Sequence, residues 1–548
     1  MGDGITAQQP AETGMSDVTS SAPRTGSHRQ IRSGRRRLAG WLPLLTVLAI
    51  QAALSISLLR ADTAFQDEAL YLWAGHRELA NLLHGTSMPP YPAYFSGAPV
   101  LYPPLGALAD TIGGLAGARL LSLVFMLGAT ALLWGTASRL FCRRAAFFAA
   151  ALFAALGPTQ HLSAFATYDA PSVFLVALAC WCVVCAVDRG EATAWIVVAA
   201  IALALANATA YSTTLFDPIV IGVALLSAMP RHGVRQAATR SLVLLTILVM
   251  LLGAGLLIGG RNYLMGVGQT TLHRVPGAAS AAKVLQDAGM WIGLVALLAF
   301  AAVVISLLGK EGRARIWLVA ILACAAVLGP LEQAQLHTAA SLNKHVGLGA
   351  WFAAIAAGHA VDRVIAAAVP GVMQAATCGA CVVALVFPLT VGAGQARTFS
   401  SDWPNAASFI AILRPLVNYG NGRLLVEDPS IAEYYLQNAG SQWQRWSSTR
   451  NIYKPGGIST GGPSKSAGVV GPGDAGTYAF YILNGYFATV ALNFTDTTTL
   501  DHELSHELKQ DPRYCIVRVV PYGFGPDGKT PGTYVIWQFR PRHANCPR

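Results

Sequence analysis

Charge is what this chain has little of. Asp, Glu, Lys and Arg make up only 12% of its 548 residues, about half the 25% typical of a soluble domain. Acids are the scarcer sign, 27 against 38 Lys and Arg, which leaves a net charge of +11. With 54% hydrophobic residues, so little charge excludes an ordinary soluble globule and predicts a polytopic α-helical membrane protein. Cysteine is sparse outside the apolar stretches: seven of nine lie in or beside them, where a thiol packs as a small apolar group. C-x-x-C spacing at Cys182/Cys185 and Cys378/Cys381 reads the same way, because redox or metal chemistry is not expected inside lipid-embedded helices. Cys515 and Cys546 stand apart in a polar region and are compatible with a disulfide.

What is abundant is apolar runs of roughly 16 to 24 residues, enough at 1.5 Å per residue to cross most or all of a hydrocarbon core about 30 Å thick. About eleven such spans are expected, near 41–59, 115–137, 145–163, 171–187, 194–210, 213–229, 241–259, 289–308, 316–333, 346–361 and 367–392. The basic residues then fall on one side. The amino-terminal tail and the loops SRLFCRR, DRGE, PRHGVRQAATR, GKEGRAR and VDR carry 17 Lys and Arg, against about seven in the opposite loops. That asymmetry is a topology signal, so nucleic acid is not an expected partner. It predicts a multi-pass protein of the plasma (inner) membrane with a cytoplasmic amino terminus. Residues 1–40, rich in Gly, Ser, Thr and Arg, read as a disordered basic tail able to touch the lipid bilayer.

Residues 41–393 form the expected transmembrane body. From 394 to 548 the composition becomes that of a soluble extracytoplasmic α/β domain. GRLLVEDPSIAEYYLQ predicts a strand, a turn and a helix; TYAFYIL and YFATVALNF predict strands; TTLDHELSHELKQ predicts a helix; YCIVRVVPYG and TYVIWQF predict strands. Trp443, Trp446, Tyr434, Tyr435 and Tyr453 offer flat faces for sugar rings, or else build the domain core.

The few acids cluster in outward loops. TAFQDEALYLW, directly after the first span, holds Asp67, Glu68 and Tyr71 at helical spacing. Two prolines in VLYPPLGAL are expected to keep a loop extended near the bilayer, and FATYDAP places Asp169 at the mouth of the fourth span. Asp67 and Glu68 are explained either as solvated acids at a helix start or as function, since acids beside a bilayer are costly. A carboxylate at that level suits a general base taking a proton from an acceptor hydroxyl.

DEALYLWAGHRELA, YPPLGAL, ARLLSLVFMLGATALLWGTASRLF and FATYDAP, in that order and sidedness, resemble the bacterial membrane glycosyltransferases of the C-type (GT-C) fold. Within these, the chain is most similar to the protein O-mannosyltransferase and aminoarabinose transferase superfamily. The resemblance implies an enzyme that moves a sugar from a polyprenyl-phosphate donor to a glycan, protein or lipid acceptor on the outer face. Its acid pair falls on Asp67 and Glu68, with Asp67 as base, and its second-loop acid on Asp169, which would orient substrate hydroxyls or a metal. Some such enzymes use a divalent cation, Mg or Mn; the sequence leaves that open. Tyr102 stands where many relatives have a Lys that binds the lipid phosphate. A phenol brings no positive charge, so the contact is expected at Lys344 and His345 in SLNKHVGLGAWF, with Arg274 a further outward cation. Lys344 acting only as a snorkelling anchor is the plainer alternative.

Two other motifs compete. HELSH, residues 502–506, fits the H-E-x-x-H zinc pattern with His502, Glu503 and His506, yet Leu500, Leu504 and Leu508 already explain a surface helix, and no usual third ligand follows. GGPSKS is a flexible loop, not a phosphate loop, since Ser464 replaces the required Gly. A transporter or flippase of lipid-linked sugars is the other rival; it predicts charges in mid-span, and these are nearly absent.

Overall fold

The computed structural model describes residues 40–188, 192–274, 276–419, 422–437, 443–450, 475–524 and 529–540. The expected tail, GGPSKS, Tyr453 and Cys546 lie outside them. The membrane half opens with α1 (Leu42–Ile56), α2 (Gln66–His84), α3 (Tyr102–Leu140), α4 (Arg143–Ala155), α5 (Gly157–Leu162), α6 (Asp169–Asp188) and α7 (Ala192–Thr209). It continues with α8 (Asp217–Val267), α9 (Ala281–Leu308), α10 (Arg313–Gln335), α11 (Leu342–Ala367), α12 (Val372–Ala384) and α13 (Val386–Phe399).

Among the described residues, eight helices are long and apolar enough to cross a membrane, not the eleven expected. The difference has three local causes. The first stretch yields only the 15 residues of α1. The 145–163 stretch breaks at Leu156, whose extended ψ of 137° precedes Gly157 and Pro158, and Pro lacks the N–H that a continuing helix needs. The stretches at 213–229 and 241–259 belong to one helical run, Tyr211–Leu272, interrupted at Gly233 with φ +77°. The Ser241 hydroxyl donates to the carbonyl of Ile221 at 3.4 Å. A straight helix would hold them about 30 Å apart, so the chain folds back near Pro230 and Gly233. Gly114, at φ +60°, likewise separates 102–113 from the span proper in α3.

YPPL therefore starts a helix, where an extended loop was expected. Pro103 and Pro104 occupy the first turn of α3, where their missing N–H groups would have had no partner anyway.

Small residues set the packing. α11 is buried on nearly all sides, with Ala350, Ala353, Ala354, Ala356 and Ala357 fully enclosed. A Cβ on Gly358 would lie 2.3 Å from the Ala145 carbonyl oxygen of α4. Such close approach lets dispersion and backbone contact hold helices together where lipid removes the hydrophobic drive.

The carboxy-terminal domain contains α14 (Ala407–Tyr419), β1 (Arg423–Val426), α15 (Pro429–Tyr435), β2 (Trp446–Ser447), α16 (Ala475–Leu483), β3 (Phe487–Leu492), α17 (Thr498–Gln510), β4 (Tyr514–Phe524) and β5 (Thr530–Phe539). Its mixed sheet has the order β2-β1-β3-β5-β4, parallel across β2-β1-β3 and antiparallel beyond. Alternation splits β1 between two cores: Leu424 and Val426 pack with Phe409 and Leu413 of α14, while Leu425 packs with Leu504 and Leu508 of α17. TYAFYIL is a helix, not the expected strand. Its buried residues are Tyr478 and Ile482, while Phe480 and Leu483 are exposed; four-residue spacing puts the buried pair on one helical face. Cys515 is disulfide-bonded, and its expected partner Cys546 lies outside the described residues.

Candidate active site

The acids of the first loop sit at the start of α2, and neighbours in sequence have opposite surroundings. Glu68 is fully buried. Its side chain accepts from the Phe65 amide at 3.0 Å, closing the helix start, and from the Ala166 amide of the second loop at 2.8 Å. Arg119 of α3 grips it with two N–H groups at 2.8 and 2.7 Å. The same guanidinium donates to the carbonyls of Leu59, Asp62 and Thr63. Glu68 thus ties α2, α3, the 59–63 segment and the second loop together, and it offers no oxygen to a substrate.

Asp67 faces the other way, its side chain 27% exposed. Lys344, at the start of α11, donates to Asp67 Oδ2 at 2.6 Å and lies 3.9 Å from Asp169 Oδ2. Asp169, the first residue of α6, also accepts from the Thr167 hydroxyl at 2.7 Å. Three segments separated by up to 277 positions in sequence therefore place two carboxylates on one ammonium. At an effective dielectric near 20, unit charges about 4 Å apart attract by about 4 kcal/mol before the cost of desolvating them is subtracted, and the two carboxylates together fix where the long Lys side chain ends.

The remaining expected residues take varied places. Tyr71 and Tyr102 are buried in one aromatic cluster with Tyr91 and Phe95, and Tyr168 packs against it. The Tyr71 and Tyr168 rings are 4.7 Å apart. His345 is bonded to Gln333 of α10 at 2.6 Å, one residue beyond the Lys344 cluster. Arg274 is near enough to His345 and Glu332 to interact electrostatically, and it makes no ion pair with Asp67 or Asp169 among the described residues. The structure brings Asp67, Asp169 and Lys344 together, with Tyr71 beside them; Arg274 stays apart.

Sequence reasoning missed Arg119 and the role of the carboxy-terminal domain. A lone Arg in the apolar run of α3 was the available signal, because an ionisable group there needs a stated partner. The carboxy-terminal domain grips the residues leading into Asp67. Trp403 Nε1 donates to the Thr63 carbonyl at 3.0 Å, Asn405 to Asp62 at 2.8 Å, and the Ala64 amide donates to the Tyr435 hydroxyl at 2.8 Å. Tyr434 donates to Asp110 at 2.5 Å, and His76 holds the other oxygen at 2.8 Å. Tyr434 and Tyr435 are therefore docking residues with their faces committed, and Trp446 is a core residue. In HELSH, His506 is bonded to Gln510 and His502 packs on Phe494. Among the described residues no group of three potential ligands could hold a metal.

Residues 107–258 match the family described as dolichyl-phosphate-mannose-protein mannosyltransferase. No curated protein sequence is significantly similar to the chain. Solved structures similar to it include ArnT from Cupriavidus metallidurans bound to undecaprenyl phosphate, at 15% identity, TM-score 0.57, covering 93% of this chain and 99% of that one. The Archaeoglobus fulgidus oligosaccharyltransferase in complex with Zn and sulfate has 14% identity, TM-score 0.56 and coverages of 87% and 72%. The same organism's AglB, with an inhibitory peptide and a dolichol-phosphate, has 12% identity, TM-score 0.54 and coverages of 92% and 75%. The chain therefore has the fold of the C-type membrane glycosyltransferases, and the segment that matches the mannosyltransferase family runs from α3 into α8.

Proposed function

We propose that this protein transfers a sugar from a polyprenyl-phosphate carrier to an acceptor hydroxyl on the outer face of the membrane, with Asp67 as general base. The observation that carries the reading is the Asp67, Lys344 and Asp169 cluster, at one end of a bundle whose fold is shared with an enzyme bound to undecaprenyl phosphate. Two carboxylates facing one ammonium leave a net negative charge. A lipid phosphate that takes contacts from Lys344 would free Asp67 from its ion pair as the donor arrives. The acceptor oxygen then bonds to the sugar anomeric carbon, its proton passes to Asp67, and the bond to the phosphate oxygen breaks. The lipid phosphate leaves with the electron pair, and Lys344 stabilises its charge. Asp169 orients sugar hydroxyls. Glu68 has no free oxygen for chemistry and acts by positioning the helix that carries Asp67.

A divalent Mg or Mn ion does not fit the donor set. Lys344 Nζ already lies between the two carboxylates, and His345 is engaged by Gln333. The outer-face orientation rests on the excess of Arg and Lys at the opposite end.

The test is release of lipid phosphate from a panel of radiolabelled polyprenyl-phosphate sugars by purified protein. Asp67→Asn is expected to lower kcat by about 10²–10⁴-fold, the usual worth of a general base. Lys344→Met is expected to raise the donor KM. Full turnover by Asp67→Asn would remove the base, and no turnover of any donor by the wild type would remove the reaction.

A further inference from the structure

The geometry points to a second, anion-binding site at the end of the bundle opposite Asp67, built to take the phosphate headgroup of an acidic membrane lipid. The two ends are separated by the length of α6, whose Asp169 lies at the first site and Asp188 at the second, roughly 30 Å. A cavity of about 290 Å³ opens there between α3, α6, α8 and α10. Arg139, Arg231 and Arg315 come to it from three different helices, with Asp188 as the one acid in its lining among the described residues.

Convergence of three guanidinium groups on one cavity, not charge alone, distinguishes it from ordinary snorkelling. Of the other basic residues at this end, Arg144 pairs with Asp362 at 2.6 Å, Arg363 with Glu311 at 3.5 Å and Arg240 with the Ala186 carbonyl at 3.2 Å, while Arg143, Arg235, Lys310 and Arg313 are exposed, carry no ion pair among the described residues and lie outside the cavity lining. Arg231 is paired with Asp188. Arg139 and Arg315 have no carboxylate partner among the described residues, and each lies near an aromatic ring. Arg139 lies over the Trp181 ring at 5.6 Å, and Arg315 over Phe141 at 5.7 Å. A ring near a guanidinium attracts it without using its N–H groups, which stay available to grip two oxygens of a phosphate. The Ser227 hydroxyl, also in the lining, is buried with no hydrogen-bond partner, and it supplies a further donor.

The rest of the lining selects the source of the phosphate. Leu140, Val184, Val187, Leu226 and Leu318 form apolar walls, and the cavity lies where spans end, at the height of lipid headgroups. A free inorganic anion has no use for those walls, whereas the glycerol and upper acyl carbons of a phospholipid do. Under the topology proposed above, this is the cytoplasmic leaflet, where anionic headgroups meet juxtamembrane Arg. The site is independent of the sugar-transfer reading, and its test measures binding alone.

The experiment compares the full-length protein in neutral detergent with short-chain phosphatidylglycerol, phosphatidylcholine of the same chain length, and inorganic phosphate, reading the thermal midpoint and bound lipid by native mass spectrometry. Phosphatidylglycerol is expected to bind and raise the midpoint; phosphatidylcholine and phosphate are not. Arg139→Gln/Arg315→Gln should weaken binding of phosphatidylglycerol about tenfold or more, whereas Arg235→Gln/Arg313→Gln, at the same end but outside the lining, should not. Should the glutamine pair fail to fold, Arg139→Lys/Arg315→Lys keeps the charge but loses the fork and is expected to weaken binding as well. Equal loss in the control pair would reduce the effect to bulk charge and overturn the site. An equal response to inorganic phosphate would overturn the lipid assignment.

Discussion

Asp67 and Glu68 are adjacent acids with opposite tasks, and the division is set by where their side chains point at a helix start. Glu68 Oε1 and Oε2 are consumed by Arg119 and two amides; Asp67 keeps a partly exposed carboxylate. Removing one partner of a buried ion pair strands the other and costs about 3–5 kcal/mol. Arg119→Met is therefore expected to lower thermal stability strongly and, through α2, to reduce activity. Circular dichroism melts checked against turnover test it, and a melt unchanged from wild type would contradict the bridging role. In the carboxy-terminal domain, Glu427 accepts amides from the 493–497 loop, and Asp501 is buried beside it with one oxygen unpartnered. Burial, and then the Glu427 carboxylate, push the Asp501 carboxyl up to about 8. A folded-state value above the unfolded one of about 4 means that the folded chain holds the extra proton. That stabilisation is complete below about pH 4 and lost as pH rises through about 8. Asp501→Asn should flatten the decline of the domain's melting temperature over this range; an unchanged slope would place the proton elsewhere.

At the scale of elements, the helices are arranged by small residues and by breaks. Gly358 lets α11 lie against α4 at backbone distance, and α11 carries Lys344 at its far end. Gly358→Val forces the two helices apart. The expected cost is about 1–3 kcal/mol for overpacking, seen as a lower melting temperature in detergent, with donor binding by Lys344 weakened as α11 shifts. An unaltered donor KM would show that the helix can move without carrying its end. The breaks were partly legible. Gly157-Pro158 and Pro230 stand in the sequence as punctuation, but only the Ser241 to Ile221 contact shows that Gly233 reverses the chain. TYAFYIL is a helix where its sequence predicts a strand, because a seven-residue apolar run has no clear period until its buried partners are known.

At the scale of the molecule, the carboxy-terminal domain is fastened to the segment that leads into Asp67. Trp403, Asn405 and Tyr435 hold residues 62–64, immediately before α2. Tyr435→Phe combined with Trp403→Phe removes two of these contacts and leaves the Ala64 amide without its partner. Faster hydrogen exchange over residues 59–66 and a lower kcat with unchanged donor KM are the expected outcome; unchanged exchange would mean that the domain only covers the loop. The sequence alone determined what depends on local composition and order. These are the membrane character, the position of the polar domain, and the acids placed at the ends of apolar runs, since charge and hydropathy are additive along a chain. It also carried the resemblance to the C-type fold. Only the tertiary structure decided that Lys344 meets Asp67 across 277 positions, that Glu68 belongs to Arg119, and that Tyr434 and Tyr435 dock instead of binding sugar. Those outcomes depend on which side chains become neighbours in space, and the energy of a buried polar group is settled by its partners, not by its place in the sequence.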